Sequence, residues 1–266
     1  MIAVAYRAGL VLAFAVILII TILTRVGAQE ARPDTQPSGL DRLESELLDR
    51  LNPSRNRTRN PEDRNDERRQ HNVGQFDFYV LALSWSPTFC EASRERNGGR
   101  SNHQQCGERP YAFVVHGLWP QYERGYPRDC QVPAPRLNRN IVNSMLDLMP
   151  SPRLVFNEWD KHGTCTGLSG QQYFDLVRKA RETVKIPEPF HDLTEYQMVT
   201  PEQVEQEFVK ANPGLTQDGL SVTCDRRRLR EVRICMTKDL QFRDCAEVNR
   251  RACRNEKVVM PPVRGG

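Results

Sequence analysis

The sequence predicts an α+β domain that occupies residues 73–266. Segments with helical periodicity cluster in the middle of this region, and segments rich in aromatic and aliphatic residues lie on both sides of them. Such segregation of strands and helices is typical of an α+β fold. The region is long enough to bury one hydrophobic core, and no internal repeat divides it.

Four segments of this domain are predicted to be strands, namely 76–85, 111–115, 220–224 and 229–236. The first is rich in aromatic and aliphatic residues, as expected for a buried strand. The second would carry His116 at its C-terminal end. The last two flank a short polar turn and are predicted to pair as a hairpin.

Three segments between these strands are predicted to be helices, namely 141–149, 171–184 and 201–210. The last has the clearest start, because Thr200 is a favourable N-cap residue and Pro201 suits the first helical position.

The N-terminus predicts export. Arg7 precedes an apolar run over residues 8–23, and the small residues before position 29 suit cleavage after Ala28. This pattern is typical of a secretory signal, here residues 1–28, and places the mature protein outside the cell or in a periplasm, free of the membrane. An uncleaved anchor is the alternative, although a spanning helix needs roughly 20 apolar residues.

Residues 29–72 are predicted to be a disordered linker. Arginine, acidic residues, asparagine and proline dominate this segment, and aromatic residues are absent, so it cannot bury enough apolar surface to fold alone. Four leucines, Leu40, Leu43, Leu47 and Leu51, recur at helical spacing, which indicates a transient helix or a small partner-binding segment. The charges nearly cancel, which excludes a basic nucleic-acid arm.

The cysteines agree with export. The chain has eight, and an even number in a secreted protein favours disulfides, although the count alone does not determine the connectivity. His162 and Cys165 do lie at an interval seen in metal sites. No nearby residues complete a tetrahedral zinc site, so no metal is expected.

Two short motifs carry the chemistry, HGLWP at 116–120 and NEWDKHGTC at 157–165. Each contains one histidine, the side chain best suited to moving protons near neutral pH. The second motif adds a carboxylate and an ammonium within one helical turn of its histidine. Together these groups suit a reaction in which two protons move while a phosphate gathers negative charge.

The five histidines divide into two groups. His71, His103 and His191 lie in polar or proline-rich segments and are predicted to be solvated bystanders. His116 and His162 each lie next to a glycine and close to a tryptophan. A lone histidine of this kind is more often structural, but two such motifs in one domain favour an active site.

These motifs resemble the two active-site segments of the ribonuclease T2 family, and LSWSPTFC at 83–90 is similar to the family's first strand and its following cysteine. The similarity extends from about residue 76 to residue 253. The resemblance implies a central antiparallel sheet with helices packed on it. It also implies four disulfides: Cys90–Cys106, Cys130–Cys165, Cys224–Cys253 and Cys235–Cys245.

The resemblance implies a metal-independent endoribonuclease of the phosphorus-oxygen lyase type, without a cofactor. In such an enzyme the RNA 2′-hydroxyl attacks the adjacent phosphorus and the 5′-oxygen leaves, which gives a 2′,3′-cyclic phosphate and later a 3′-phosphate. By similarity, His162 is the base and His116 the acid, and the reverse order is the alternative. Glu158 and Lys161 match positions that support the charged transition state.

The resemblance also indicates how substrate is held. Trp119 matches a position where the family stacks a base, which suits single-stranded RNA. DNA is not an expected substrate, because it lacks the 2′-hydroxyl nucleophile. Gln121 lies in the expected base pocket, where an amide gives no sharp base preference. Asn157 replaces a histidine that commonly contacts the phosphate, and asparagine cannot become cationic. The enzyme is expected to act as a monomer.

The competing hypothesis is a secreted RNA-binding or toxin-like protein of the same fold with weak or lost catalysis. Both motif histidines, Glu158 and Lys161 are retained, which argues against it. The domain is only slightly basic, so its electrostatic affinity for RNA is expected to be modest. Its one basic cluster, residues 226–230, is predicted to be a solvated turn.

Overall fold

The structure is a computed structural model that describes residues 73–99, 104–107 and 109–264. The predicted signal segment 1–28 and linker 29–72 lie outside the described residues, as do His71 and His103. Among the residues that are described, no helix is both long enough and apolar enough to cross a membrane.

Strands form two antiparallel sheets. Four strands lie in the order β2-β1-β5-β4, and the other two pair with each other. The strands are β1 (Phe78–Trp85), β2 (Phe113–Gln121), β3 (Gln197–Val199), β4 (Leu220–Cys224), β5 (Leu229–Met236) and β6 (Val258–Met260).

The described residues also form six α-helices, with short 3₁₀ turns between some of them. They are α1 (Ser86–Arg96), α2 (Arg139–Ser144), α3 (Pro152–Lys161), α4 (Gly170–Thr183), α5 (Pro201–Ala211) and α6 (Ala246–Asn249). The α+β fold class with a central antiparallel sheet is therefore confirmed.

Strand β1 lies in the middle of the main sheet and separates two faces. Because successive strand residues point to opposite sides, Tyr79, Leu81 and Leu83 enter the main core. Val80 and Ser84 point to the other face, where they line two cavities. The sheet thus has one face for the core and one for the candidate site.

The core face is covered by helices. Tyr173 and Phe174 on α4, together with Phe208 on α5, are fully buried against it. The Tyr173 hydroxyl donates a hydrogen bond of 2.9 Å to the carbonyl oxygen of Leu118. Since Leu118 lies inside the HGLWP motif, this bond fixes the middle of β2 against α4.

Strand β2 does not end before His116, as the sequence predicted, but continues to Gln121. Its register with β1 shifts by one residue, so that Ala82 pairs with Gly117 while Leu83 pairs with Val115. His116 is therefore the extra residue of a β-bulge, a feature that redirects a side chain. Pro120 fits in this strand because β2 is at the sheet edge.

The three predicted helices agree with the structure to different degrees. The segments 171–184 and 201–210 agree with α4 and α5 to within one residue at each end. Thr200 caps α5 as expected, and its hydroxyl accepts a bond of 3.0 Å from the Gln203 amide. The segment 141–149 is helical only as far as Ser144. Helices α1 and α3 were not predicted.

Four disulfides join the elements, and their pairs are those that the family resemblance implies. The Cys130–Cys165 bond connects the loop after β2 to the 3₁₀ turn that follows α3. This bond ties the loop after the first histidine motif to the last residue of the second motif.

The prediction of a solvated basic turn at residues 226–230 is wrong for Arg228. Its side chain is buried, and one guanidinium nitrogen donates bonds of 2.7 Å to both carboxylate oxygens of Glu95. A further ion pair joins Arg228 to Glu91 at 3.3 Å. Both acids lie on α1, so this arginine fixes the β4–β5 turn to that helix.

Candidate active site

Helix α3 brings Glu158 and His162 of the second motif together. Ser151 caps its start by accepting a hydrogen bond from the Leu154 amide, and Pro152 occupies the first turn. Glu158 and His162 are four residues apart and therefore share one side of the helix. The His162 amide donates to the Glu158 carbonyl oxygen at 3.0 Å, which makes His162 the C-cap residue.

Glu158 meets the first motif through a close contact that requires glycine. Its Oε2 accepts a hydrogen bond of 2.6 Å from the indole nitrogen of Trp119. A Cβ atom at Gly117 would lie 2.5 Å from that nitrogen and would clash with the carboxylate. Glycine fits at this position because no side chain has room.

His116 lies between two carboxylates. Its Nδ1 is 2.5 Å from Oε1 of Glu231 on β5, and its Nε2 is 3.5 Å from Oε1 of Glu158 on α3. About a third of the His116 side chain is exposed (34%), whereas both carboxylates are buried. Glu231 therefore holds the His116 ring at Nδ1, while part of the ring stays accessible to solvent.

These neighbours favour the protonated form of His116. Burial lowers its pKa, but the hydrogen bond and charge of Glu231, with the charge of Glu158, raise it above the ordinary value. Burial raises the pKa of the Glu231 carboxyl, while His116 and Arg233 outweigh this effect and lower it to about 2. Glu231 is thus ionised, and His116 holds its proton more firmly than a solvated histidine.

His162 has the opposite surroundings. Its ring is buried beside aromatic side chains, with its centroid 5.3 Å from that of Trp119 and 6.3 Å from that of Tyr126. Burial lowers the pKa of His162, and the charges of Lys161 and His116 lower it further, to about 3. Its Nδ1 is buried without a hydrogen-bond partner. His162 is therefore neutral and able to accept a proton.

His116 and His162 both line one cavity of about 230 Å³. Trp119, Tyr126 and Gln121 line it, together with three cations and the carboxylates of Glu158 and Glu247. The lining cations are Lys161, Arg233 and Arg251. An aromatic ring beside positive charge suits a ligand that carries both a flat base and a phosphate.

A second cavity, of about 550 Å³, lies on the other side of His116. His116 is the residue that lines both cavities, so they meet at its ring. Asn157 and Leu154 of α3 line the second cavity, together with Ser84 of β1. A chain-like ligand could therefore pass His116 and continue on both sides of it.

A sequence profile described as the Ribonuclease T2 family matches residues 76–245, a range that includes both histidine motifs. The chain belongs to the ribonuclease T2 family. The matched range lies within the segment for which the motifs indicated similarity.

Bacterial relatives of this ribonuclease T2 family member cover different shares of it. A probable ribonuclease of Haemophilus influenzae is 39% identical over 47% of this chain and 49% of its own length. A ribonuclease of Aeromonas hydrophila is 37% identical over 63% of this chain and 74% of its own length. The chain thus spans about half of the first relative and about three quarters of the second.

Solved structures show the same fold at lower identity. RNase NT in complex with 5′-AMP is 23% identical, with a TM-score of 0.55 over 71% of this chain and 99% of its own. Trichomaglin, described as an S-like ribonuclease, is 22% identical, with a TM-score of 0.56 over 71% of this chain and 99% of its own. These values establish a shared fold.

In this T2 family member, six of the seven residues named from the sequence line the first cavity, and Asn157 lines the second. The six are His116, Trp119, Gln121, Glu158, Lys161 and His162. One N–H of the Gln121 side-chain amide donates a bond of 2.8 Å to the Gly125 carbonyl oxygen. The second N–H and the amide oxygen of Gln121 can still contact a ligand.

Sequence reasoning missed Glu231, Arg233 and Tyr126. Glu231 and Arg233 lie on β5, far from either motif in the sequence, although an acid inside a predicted strand is itself a signal. Tyr126 follows the first motif in a loop without a distinctive pattern. Within the described ranges, no group of three or more His, Cys, Asp or Glu side chains is arranged to hold a metal ion.

Proposed function

We propose that this protein is an endoribonuclease that cleaves single-stranded RNA by transesterification. The observation that carries the proposal is the pair of histidines in one cavity, one stabilised in its protonated form and the other in its neutral form. A reaction that removes one proton and supplies another needs this combination.

In the first step, neutral His162 takes the proton from the RNA 2′-hydroxyl, and the resulting oxygen attacks the adjacent phosphorus. The bond from phosphorus to the 5′-oxygen breaks, and protonated His116 gives its proton to that oxygen. One proton is accepted and one is donated, so the enzyme's net charge does not change. The products are a 2′,3′-cyclic phosphate and a free 5′-hydroxyl.

The second step reverses the two roles. His116, now neutral, takes a proton from water, which attacks the cyclic phosphate. His162, now charged, returns a proton to the 2′-oxygen, and a 3′-phosphate is released. The phosphate itself helps in both steps, because its negative charge beside His162 raises the pKa of that histidine towards a useful range for a base.

Lys161 and Glu158 support the charged transition state. The ammonium of Lys161 lines the same cavity as the two rings and can face the phosphate oxygens as negative charge grows on them. Glu158 lies 3.5 Å from Nε2 of His116 and holds Trp119 by the indole hydrogen bond. Glu158 therefore orients both His116, the proposed acid, and the Trp119 ring, on which a base would stack.

The two cavities support internal cleavage of a chain. A base on the 5′ side of the cleaved bond can stack on Trp119 and Tyr126 in the first cavity. The next nucleotide can enter the second cavity beyond His116. RNase NT, of the same fold, was solved with 5′-AMP, which agrees with a nucleotide ligand.

We also propose that the protein acts outside the reducing cytoplasm, as a secreted or periplasmic monomer. Four disulfides and no free cysteine among the described residues support an oxidising compartment. Fractionation of expressing cells, with size-exclusion chromatography of the recovered protein, tests both parts.

Incubation of purified protein with RNA and DNA of the same sequence, in EDTA, tests the reaction. We expect RNA to be cut and DNA to survive, because DNA lacks the nucleophile. Mass spectrometry should detect 2′,3′-cyclic phosphate ends that later become 3′-phosphates. Loss of cleavage in EDTA, restored by a divalent ion, would show metal-assisted hydrolysis instead.

A further inference from the structure

The further inference concerns Glu231, which lies in neither histidine motif. We propose that Glu231 is a positioning residue that fixes the ring orientation and tautomer of His116, so that Nε2 of His116 serves both steps of the reaction. The predicted changes in reaction rate rest on the proposed function. The predicted effect on the His116 ring rests only on the geometry of its contact with Glu231.

The first argument is that small residues make the contact possible. His116 is on β2 and Glu231 is on β5, with β1 between them. On the site face of β1, the intervening residues are Ala82 and Ser84. Larger side chains at these positions would fill the space that the imidazole and carboxylate need. The two groups reach across a whole strand because that strand presents almost no side chain to them.

The second argument is that the Glu231 carboxylate is itself held in place. Its Oε2 accepts bonds of 3.1 and 2.9 Å from Nε and Nη2 of Arg233. Its Oε1 accepts a bond of 3.3 Å from the Ser84 hydroxyl and faces Nδ1 of His116 at 2.5 Å. One oxygen is thus assigned to the arginine and the other to the histidine, which leaves the carboxylate little freedom to rotate.

The third argument concerns the proton on the ring. An ionised carboxylate only accepts hydrogen bonds, so Nδ1 of His116 must carry a proton in both charge states of the ring. Nε2 is then a donor when His116 is charged and an acceptor when it is neutral. Without Glu231, the neutral ring could keep its proton on Nε2, and the hydrolytic step would lose its base.

A purely structural role explains Glu231 less well. Burying a carboxylate is costly, and an apolar residue would fill the same space without that cost. Glu158 cannot replace it, because Glu158 lies farther from the ring, at Nε2, and already accepts the Trp119 indole bond. The buried carboxylate of Glu231 is therefore best explained by its effect on the orientation and tautomer of the His116 ring.

Other charged groups also act on His116 and must be considered in any pH profile. Glu158 raises its pKa together with Glu231, whereas burial and Arg233 lower it. The further charged and titratable groups that line the two cavities are Lys161, His162, Glu247 and Arg251 in the first, and Arg96, Arg153, Asp225 and Arg230 in the second.

The test compares Glu231→Gln with a matched control, Glu205→Gln. Glu205 is a half-buried glutamate that also accepts a hydrogen bond, at 3.0 Å from the Val222 amide of β4, but it does not line either cavity. Cleavage of a dinucleoside monophosphate and hydrolysis of a 2′,3′-cyclic nucleotide are measured separately across pH. NMR of ¹⁵N-labelled histidine reports the tautomer and titration of His116.

For Glu231→Gln we expect kcat to fall at least about tenfold, within the range for a mispositioned acid or base, with KM changed less than about twofold. The alkaline limb of the cleavage profile should move to lower pH, because the neutral amide no longer favours the charged ring. Glu231→Asp should recover part of the activity and of the shift. Glu205→Gln should change neither profile.

The inference is wrong if folded Glu231→Gln retains the wild-type pH profile, or if Glu205→Gln loses activity equally. It is also wrong if the titration of His116 is unchanged in Glu231→Gln. The NMR measurement separates the two proposals, because it needs no turnover. If the wild type does not cleave RNA, the proposed function is wrong, but the NMR titration of His116 still tests the effect of Glu231.

Discussion

His116 and His162 line the same cavity, yet the chain places them in opposite environments. His116 lies in a strand bulge, bonded to a buried carboxylate, and its pKa is raised. His162 lies at the end of a helix, among aromatic rings and beside Lys161, and its pKa is lowered to about 3. The difference shows that backbone position and neighbours, rather than residue type, decide which histidine favours its charged form and which its neutral form.

The comparison also shows how similar motifs give different results. Each histidine is followed by glycine, but the two glycines have different neighbours. A Cβ at Gly117 would meet Glu158 and Trp119 of the site, whereas a Cβ at Gly163 would meet the core rings of Trp159 and Tyr173. One glycine makes room for the site, and the other makes room for the core.

The largest expected effect comes from removing either histidine. His116→Ala and His162→Ala should each lower kcat by at least about a hundredfold, the lower range for a positioned acid or base. The double variant should lose much less than the product of the single losses, because the two residues act as a unit. Single-turnover cleavage of RNA provides the measurement.

His191→Ala is the matched control for both histidine variants. His191 is exposed and its Nε2 lies 2.9 Å from the Ile186 carbonyl oxygen, away from both cavities. Its removal should leave kcat unchanged. Full activity in a folded His116→Ala or His162→Ala protein would contradict the assignment of acid and base.

A smaller effect, about tenfold in kcat, is expected from Gly117→Ala, because the added methyl group separates Glu158 from Trp119. Gly163→Ala should act mainly on stability, with a cost of about 1–3 kcal/mol in the free energy of unfolding, as in other overpacked cores. Kinetics and urea denaturation of both variants test the contrast. Equal effects of the two variants on stability and on kcat would remove the distinction between the glycines.

The smallest effect is expected at Asn157, which lines the second cavity near His116. Asn157→His should lower KM at acidic pH by roughly fivefold, since a charged hydrogen bond gains about 1 kcal/mol over a neutral one. The gain should shrink at alkaline pH as the new imidazole loses its charge, and Asn157→Ala should raise KM. If wild type were inactive and Asn157→His restored cleavage, the two-histidine mechanism would be wrong.

The sequence predicted the strands better than their ends. Strands β4 and β5 were located to the residue because a polar turn separates two segments that contain several aliphatic residues. Strand β2 was ended too early, since Gly117 and Pro120 normally interrupt strands. Only the sheet order shows that β2 is an edge strand, where proline is tolerated, and that a bulge accommodates His116.

The sequence has a start signal for helix α3, although this helix was not predicted. Ser151 and Pro152 form the same cap and first-turn pair as Thr200 and Pro201, which did locate α5. The residues of the second motif were recognised by their chemistry, without the helix that arranges them. Local patterns were therefore sufficient for this part of the site.

Glu231 marks the limit of what the motifs could predict. It lies 115 residues from His116, and only the pairing of β5 with β1 brings the two strands near each other. A single sequence does not determine which strands become neighbours. The site was thus predictable where its residues are close in sequence, and not where the sheet assembles them.

The three tryptophans of the chain differ in what their fluorescence can report. Trp85 and Trp159 are buried, and their indole nitrogens donate to the carbonyl oxygens of Pro261 at 3.0 Å and Pro135 at 2.7 Å. Their emission therefore follows unfolding. Trp119 lines the cavity with its ring centroid 5.3 Å from those of both histidines. Its emission should instead follow occupancy of the cavity, so a single chain carries separate optical signals for folding and for binding.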